Sequence, residues 1–437
     1  MVFLPRFYFT LVTAMLLALA STWVPHGMDL SLLLTLLLTC AVLADAVLIP
    51  RDALRVKRDV PPILKQAQLF QVELTLFNQG ENAALFQIVD SPPVEFTGSP
   101  KPITLRLPPK KETVQTYSLK SYRRGSFQFG AIYYRITGPL GLIQRQTKID
   151  LLQGVQVLPD MTGEGSRDLQ LALAGAFQAG RRKAARRGEG TEFESLREHQ
   201  RDDDFRQIDW KASAKRGKLI SRQYETERDQ RLMILLDTGR LMSPKIGDYR
   251  KLDYAINASV HLAQVALHKG DLVGYAIFND GMRAFAEPKK GQAQISHLVR
   301  NLTSLQPTRL ESDYAAVFHQ VHRRCSRRTL IVCFTDLGDA RSANSLLQAT
   351  LPLMPRHLPV IVTVGNSEVL AVTRKEPENE FEVYRHVAAM EIWNDYQRTL
   401  RGLRSRGVGT VSVPAQELST AAINEYLRIK ETARRVR

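Results

Sequence analysis

A chain of 437 residues is long enough for two or three domains, each with its own core. Its 44% apolar and 24% charged residues exclude a mostly disordered chain, and three cysteines exclude a disulfide-stapled secreted module. Sixty Lys and Arg against 44 Asp and Glu leave a formal charge of +16, which suits an anionic neighbour: phospholipid, nucleic acid or an acidic protein.

Two apolar runs open the chain. Residues 7–24 carry no charge, and residues 30–49 carry only Asp45. Each approaches the ~20 residues that cross a bilayer core as a helix. The link between them has no Lys or Arg, whereas Arg6 precedes the first run and Arg51, Arg55, Lys57 and Arg58 follow the second. The positive-inside rule therefore predicts a helical hairpin in contact with lipid through residues 7–49, with both ends in the cytoplasm. The rival is a signal peptide ending near Ala18-Leu19-Ala20, after which the second run would still span. No later run reaches spanning length, which excludes a multi-span transporter.

Residues 59–160 alternate with period two, as in Val72, Leu74 and Leu76 or Ile103, Leu105 and Leu107. About seven short strands separated by turn signals predict a β-sandwich-like domain, and no catalytic cluster falls within it. From 161 to 228 the chain becomes a charged connector. Its densest basic run, 181–187, lacks interleaved aromatics, so a solvated loop or docking surface is favoured over nucleic-acid binding. Mixed charges then surround the aromatics Phe205 and Trp210, and a salt-bridged loop pinned to the following domain by Trp210 and Ile208 is expected; the rival reads Asp202 to Asp204 as metal ligands or catalytic acids.

Residues 229–437 read as α/β. Apolar strands are predicted at 232–236, 272–278, 329–334, 360–364 and 408–413, with helices at 249–268, 295–302, 314–321 and 381–405 and a last helix to about 430. Alternation of this kind predicts a doubly wound parallel sheet, with ligands beyond the carboxyl ends of its strands, where Asp237, Thr335 and Asp336 fall. The domains are thus an anchor (1–58), a β domain (59–160), a connector (161–228) and an α/β domain (229–437).

Glu192-Phe193, Leu196-Arg197-Glu198, the run from Asp203 to Trp210, Ala212, Leu219 and Glu225-Thr226-Glu227 form a distinctive pattern. In these residues the chain resembles the bacterial domain-of-unknown-function family 58, whose members join a membrane hairpin, a β-rich domain and a von Willebrand factor A-like domain. Arg123-Arg124-Gly125 and Gly138-Pro139-Leu140-Gly141-Leu142 are similar to the end of that family's β domain. Where the family usually has Pro-Gly, this chain has Arg201-Asp202. The resemblance implies residence in the bacterial inner membrane and a partner, a MoxR-type AAA+ ATPase.

It also implies a metal-ion-dependent adhesion site, Asp-x-Ser-x-Ser with a later Thr and Asp. Asp237 matches, but Gly239 and Leu241 replace both serines; Ser312 stands about where the Thr would be, and Asp336 matches the later Asp. The candidate Mg²⁺ ligands are therefore Asp237, Ser312 and Asp336, in a site that lacks two hydroxyl ligands. The leading expectation is a scaffold or adaptor, without a cofactor, that docks a protein through Asp203, Asp204, Arg206, Asp209, Arg240 and Asp313. The alternative is an enzyme or metal-dependent module using the aspartates at the sheet's carboxyl edge. No serine-hydrolase elbow, phosphate loop, His-Glu-x-x-His or closely spaced cysteine pair is present to support catalysis.

Overall fold

A computed structural model describes residues 2–435 except 21–26, 51, 99, 161–191, 200–204, 206–207, 226–229, 339, 355 and 366. The basic run 181–187 and the docking candidates Asp203, Asp204 and Arg206 lie outside the described residues. The chain divides into two compact units, Met1–Leu158 and Pro159–Arg437.

In the first unit, helix Gly27–Leu48 contains one stretch, Met28–Leu48, long and apolar enough to cross a membrane. The helix before it, Pro5–Ala20, is shorter, its 16 residues rising ~24 Å against a hydrocarbon core of about 30 Å. Leu16, Leu33 and Leu37 on these helices are exposed, as an apolar solvent would allow. Asp45, the charge near the end of the apolar run, is fully buried: it accepts hydrogen bonds from the backbone N–H groups of Leu140 (2.9 Å), Leu142 (3.0 Å) and Ile143 (3.2 Å). Arg145 donates to the carbonyls of Ile49 (2.7 Å) and Ala46 (3.1 Å), satisfying orphan groups at the helix end. A Cβ on Gly138 would overlap the Asp45 carboxyl, so this position of the Gly-Pro-Leu-Gly-Leu motif requires glycine.

The β-rich remainder forms three sheets. Five strands run in the order Val2–Phe3, Ile143–Ile149, Ile132–Thr137, Ala84–Val89 and Ile103–Leu107, all antiparallel. Four more, Leu54–Asp59, Leu69–Asn78, Glu112–Ser121 and Phe96–Thr97, are also antiparallel. Gln153–Leu158 lies between Ile63–Lys65 and Gly125–Phe129. Alternation along the strands sends Val72, Leu74, Phe86, Ile88 and Tyr134 into one shared core. Arg58, expected to flank the membrane span, instead sits inside this core, paired with the Asp90 carboxylate and lying over the Phe129 ring.

In the second unit, Glu192–Glu198 pairs antiparallel with Ile220–Glu225. Between them helix Trp210–Arg216 starts at Asp209, whose side chain accepts from the N–H of Ala212 (2.9 Å), and ends at Gly217 with φ 66°. The expectation of buried aromatic anchors is corrected here. Trp210 is 67% exposed and Phe205 74%, because Trp210 opens the helix on its outer side. Ile208 is buried as expected, and Ser213 rather than an aromatic joins it in holding the loop, its hydroxyl accepting from the N–H of Ile220 (2.8 Å).

Six strands form the main sheet, in the order Met282–Lys289, Leu272–Phe278, Arg231–Asp237, Leu330–Phe334, Leu358–Val364 and Gly409–Val413. All five strands expected from the sequence are present and parallel, but Met282–Lys289 adds an antiparallel edge, so the sheet is mixed rather than purely parallel. That strand was not expected because Pro288 and polar residues interrupt its apolar pattern, as an edge position tolerates. Numbered along the chain, the order is 3-2-1-4-5-6, with its switch point between Arg231–Asp237 and Leu330–Phe334. The expected helices appear as Lys251–His268, Ala293–Thr303, Tyr314–Arg324, Glu380–Ser405 and Leu418–Arg435, and two more, Ala340–Thr350 and Ser367–Arg374, complete the unit.

Candidate functional site at the sheet's carboxyl edge

The two central strands end side by side, so Asp237 and the pair Thr335-Asp336 meet at the switch point. Asp237 is fully buried. Its Oδ1 accepts from the Gly239 N–H (2.8 Å) and the Ser312 hydroxyl (2.5 Å); its Oδ2 accepts from the Thr335 hydroxyl (2.6 Å) and the Tyr314 phenol (3.0 Å). A carboxylate offers about four lone-pair sites, and four donors occupy them. Burial pushes this carboxyl above the usual carboxylate range, against the opposing pull of those hydrogen bonds. Burial and the neighbouring Asp237 charge likewise hold the Tyr314 phenol and the Cys333 thiol protonated, each well above its ordinary value.

Asp336 is buried too, and its partner is a cation carried by the chain itself. Lys251 opens helix Lys251–His268 and places its Nζ 2.6 Å from Asp336 Oδ2, while the Thr363 hydroxyl donates to Oδ1 (3.2 Å). A lysine at a helix start opposes the helix dipole, and this anomaly is the sequence signal that identifies it. Tyr314 and Thr363 carry no such signal, because only folding brings them to the carboxylates.

One of the two replacements in the metal motif, Gly239, has a steric explanation. A Cβ on Gly239 would overlap the Ser312 hydroxyl, so the hydroxyl that donates to Asp237 comes from a loop 75 residues away, while residue 239 donates its backbone N–H. The Leu241 side chain lies against Gly338, beside Asp336. This donor set does not fit a hard dication, which needs oxygens with free lone pairs. Those of Asp237 are taken, the Ser312 and Thr335 hydroxyls point their protons at it, and an ammonium holds Asp336. Among the described residues no group of three or more His, Cys, Asp or Glu is placed to share a metal ion.

Of the remaining docking candidates, Arg240 and Asp313 lie near this edge, and Asp209 lies in the separate hairpin. Arg240 and Glu311 form an exposed ion pair at 3.4 Å. Asp313 caps helix Tyr314–Arg324 by accepting from the N–H of Ala316 (2.9 Å), and Asp209 caps its own helix in the unit's small hairpin. Gly239→Ser is expected to destabilise the unit by ~1–3 kcal/mol through overpacking, and Ser312→Ala in the same chain should recover most of that loss. Thermal unfolding of the four variants of this cycle measures it; a neutral Gly239→Ser would show that the two hydroxyls do not compete for one position.

Residues 195–369 match the family described as protein of unknown function DUF58. A search of curated proteins finds no match. Among solved structures, a CARDB domain from Pyrococcus furiosus is 18% identical, with 24% of this chain and 87% of that one covered and a TM-score of 0.18. The PapD-like domain 7 of human CEP192 gives 11%, 24%, 85% and 0.20. Escherichia coli alpha-2-macroglobulin gives 13% identity and a TM-score of 0.20, and the match to 24% of this chain spans 7% of its length.

Proposed function

We propose that this protein is an adaptor anchored in the bacterial inner membrane by a two-helix hairpin. Its α/β unit, read as a von Willebrand A-like domain, docks a protein partner, a MoxR-type AAA+ ATPase, in the cytoplasm. The observation that carries this reading is the chemical closure of the carboxyl edge. Asp237 is saturated by four internal donors and Asp336 is neutralised by Lys251, which leaves neither carboxylate as a general base or an open ligand. Exposed charge at the same edge, in the Arg240–Glu311 ion pair, supplies a polar surface that can orient a partner.

The test is co-purification of the ATPase with the detergent-solubilised full chain. Arg240→Glu should reduce recovery several-fold while shifting stability by less than ~0.5 kcal/mol, because its ion pair is exposed. Unchanged recovery from a folded variant would remove this edge as the docking surface, and absence of the ATPase from the native complex would remove that partner. Orientation is tested separately. A reporter active only outside the cytoplasm, fused after Arg437, should stay inactive, since Arg6, Arg55 and Lys57 flank the helices. High activity would reverse the topology.

A further inference from the structure

Helix Glu380–Ser405 is longer than the layer it covers. Its 26 residues rise ~39 Å, whereas a strand of seven residues spans ~23 Å. The buried residues Tyr396, Leu400 and Leu403 hold the second half against the sheet. None of residues 380–388 is buried, so the first half overhangs the carboxyl end of strand Leu358–Val364. It is not a loose end. Asn379 caps it by accepting from the N–H of Glu382 (2.9 Å), and the His386 ring lies 3.1 Å from the Val372 carbonyl of the neighbouring helix Ser367–Arg374.

The overhang presents apolar surface to solvent. Phe381 and Tyr384 are 76% and 77% exposed, and Val383, Val387 and Met390 are exposed beside them. Spacings of three and four residues set these side chains in two rows, 381/384 and 383/387/390, that together wrap about half of the helix circumference. A contiguous exposed apolar stripe on a rigid helix marks an interaction site rather than scattered surface residues.

Charge decides the occupant. Residues 374–391 carry five carboxylates, Glu376, Glu378, Glu380, Glu382 and Glu391, against Arg374, Lys375 and Arg385, while Asp395 further along is paired with Arg398 at 3.0 Å. That local net of −2 stands on a chain of +16. A second copy would set this acidic rim against its equal, and an anionic lipid surface would be repelled. We propose that the stripe docks a basic amphipathic helix of a partner protein, with apolar residues at helical spacing in the two rows and Lys or Arg at the rim. The inference rests on the adaptor reading and assigns it a second surface, separate from Arg240.

Site-specific photo-crosslinking of the full chain in its native membrane tests it, with the crosslinking residue placed at Tyr384 or, in a separate chain, at Leu310 beside Arg240. The expected product at Tyr384 is a Lys/Arg-rich helical segment of another protein. Its yield should fall about tenfold in Glu378→Lys/Glu380→Lys/Glu391→Lys, and the native yield should weaken as salt is raised. Crosslinks only to lipid, only to a second copy or to an acidic segment would overturn the proposal, as would an unchanged yield from the triple variant with its melting temperature intact. No product at Tyr384 but a protein product at Leu310 would sink this surface and leave the adaptor reading standing. No product at either position would sink both.

Discussion

Lys251→Met should lower the stability of the α/β unit by ~3–5 kcal/mol, because it leaves the Asp336 carboxylate buried without its counter-charge. For a unit of this size that is a fall in melting temperature of roughly 10 °C. The side-chain stem is replaced at nearly constant volume, so packing contributes little to the loss. The cost belongs to the unpaired charge. Adding Asp336→Asn should therefore recover most of it, since a buried pair replaced by neutral groups is often close to neutral in stability, and the Thr363 hydroxyl can still donate to the amide oxygen. The measurement is a double-variant cycle by thermal unfolding of the full chain. Equal losses in the single and double variants would mean that Lys251 acts through packing, and the internal-cation account of the carboxyl edge would fail. Mg²⁺ added to the native chain should give no stabilisation, whereas specific binding at a hundredfold excess over Kd would give about 2.7 kcal/mol.

Asp45→Ala should be comparably damaging in the first unit, by ~3–5 kcal/mol. One buried carboxylate accepts three backbone N–H groups, and its removal leaves Leu140, Leu142 and Ile143 without those acceptors at ~1–3 kcal/mol each. Asp45→Asn should cost less but not be neutral, because an amide presents one acceptor oxygen and turns its NH₂ toward a donor. Gly138→Ala should have an effect of the same sign, since its methyl group would overlap the carboxyl. Thermal unfolding and limited proteolysis around residues 138–143, in detergent, report the loss. If Asp45→Ala melts within ~0.5 kcal/mol of the native chain, the carboxylate is not what clamps the glycine-rich turn to the end of the apolar helix.

The sequence by itself determined the elements whose signal is local. A continuous apolar run marks Arg231–Asp237 and Leu358–Val364 because a central parallel strand is buried on both faces. Period-two alternation marks Leu69–Asn78 because only one face of that strand meets the core. The position of Asp237 and Asp336 at strand ends followed from the same patterns. Other features depend on residues far apart in the chain, which no local pattern encodes. Ser312 takes the place that a side chain at residue 239 would fill, and Lys251 neutralises an aspartate 85 residues away. Asp45 and Arg58, both read from sequence as charges at a membrane boundary, became buried partners of backbone and Asp90, because a buried charge must find its counterpart wherever the fold supplies one. Trp210 shows the reverse. Aromatic character suggested an anchor, but its place at a helix start turned it outward, since exposure is set by which face a neighbouring element covers. The same physics left Phe381 and Tyr384 uncovered: helix length was written in the sequence, and the extent of the sheet beneath it was decided only in three dimensions.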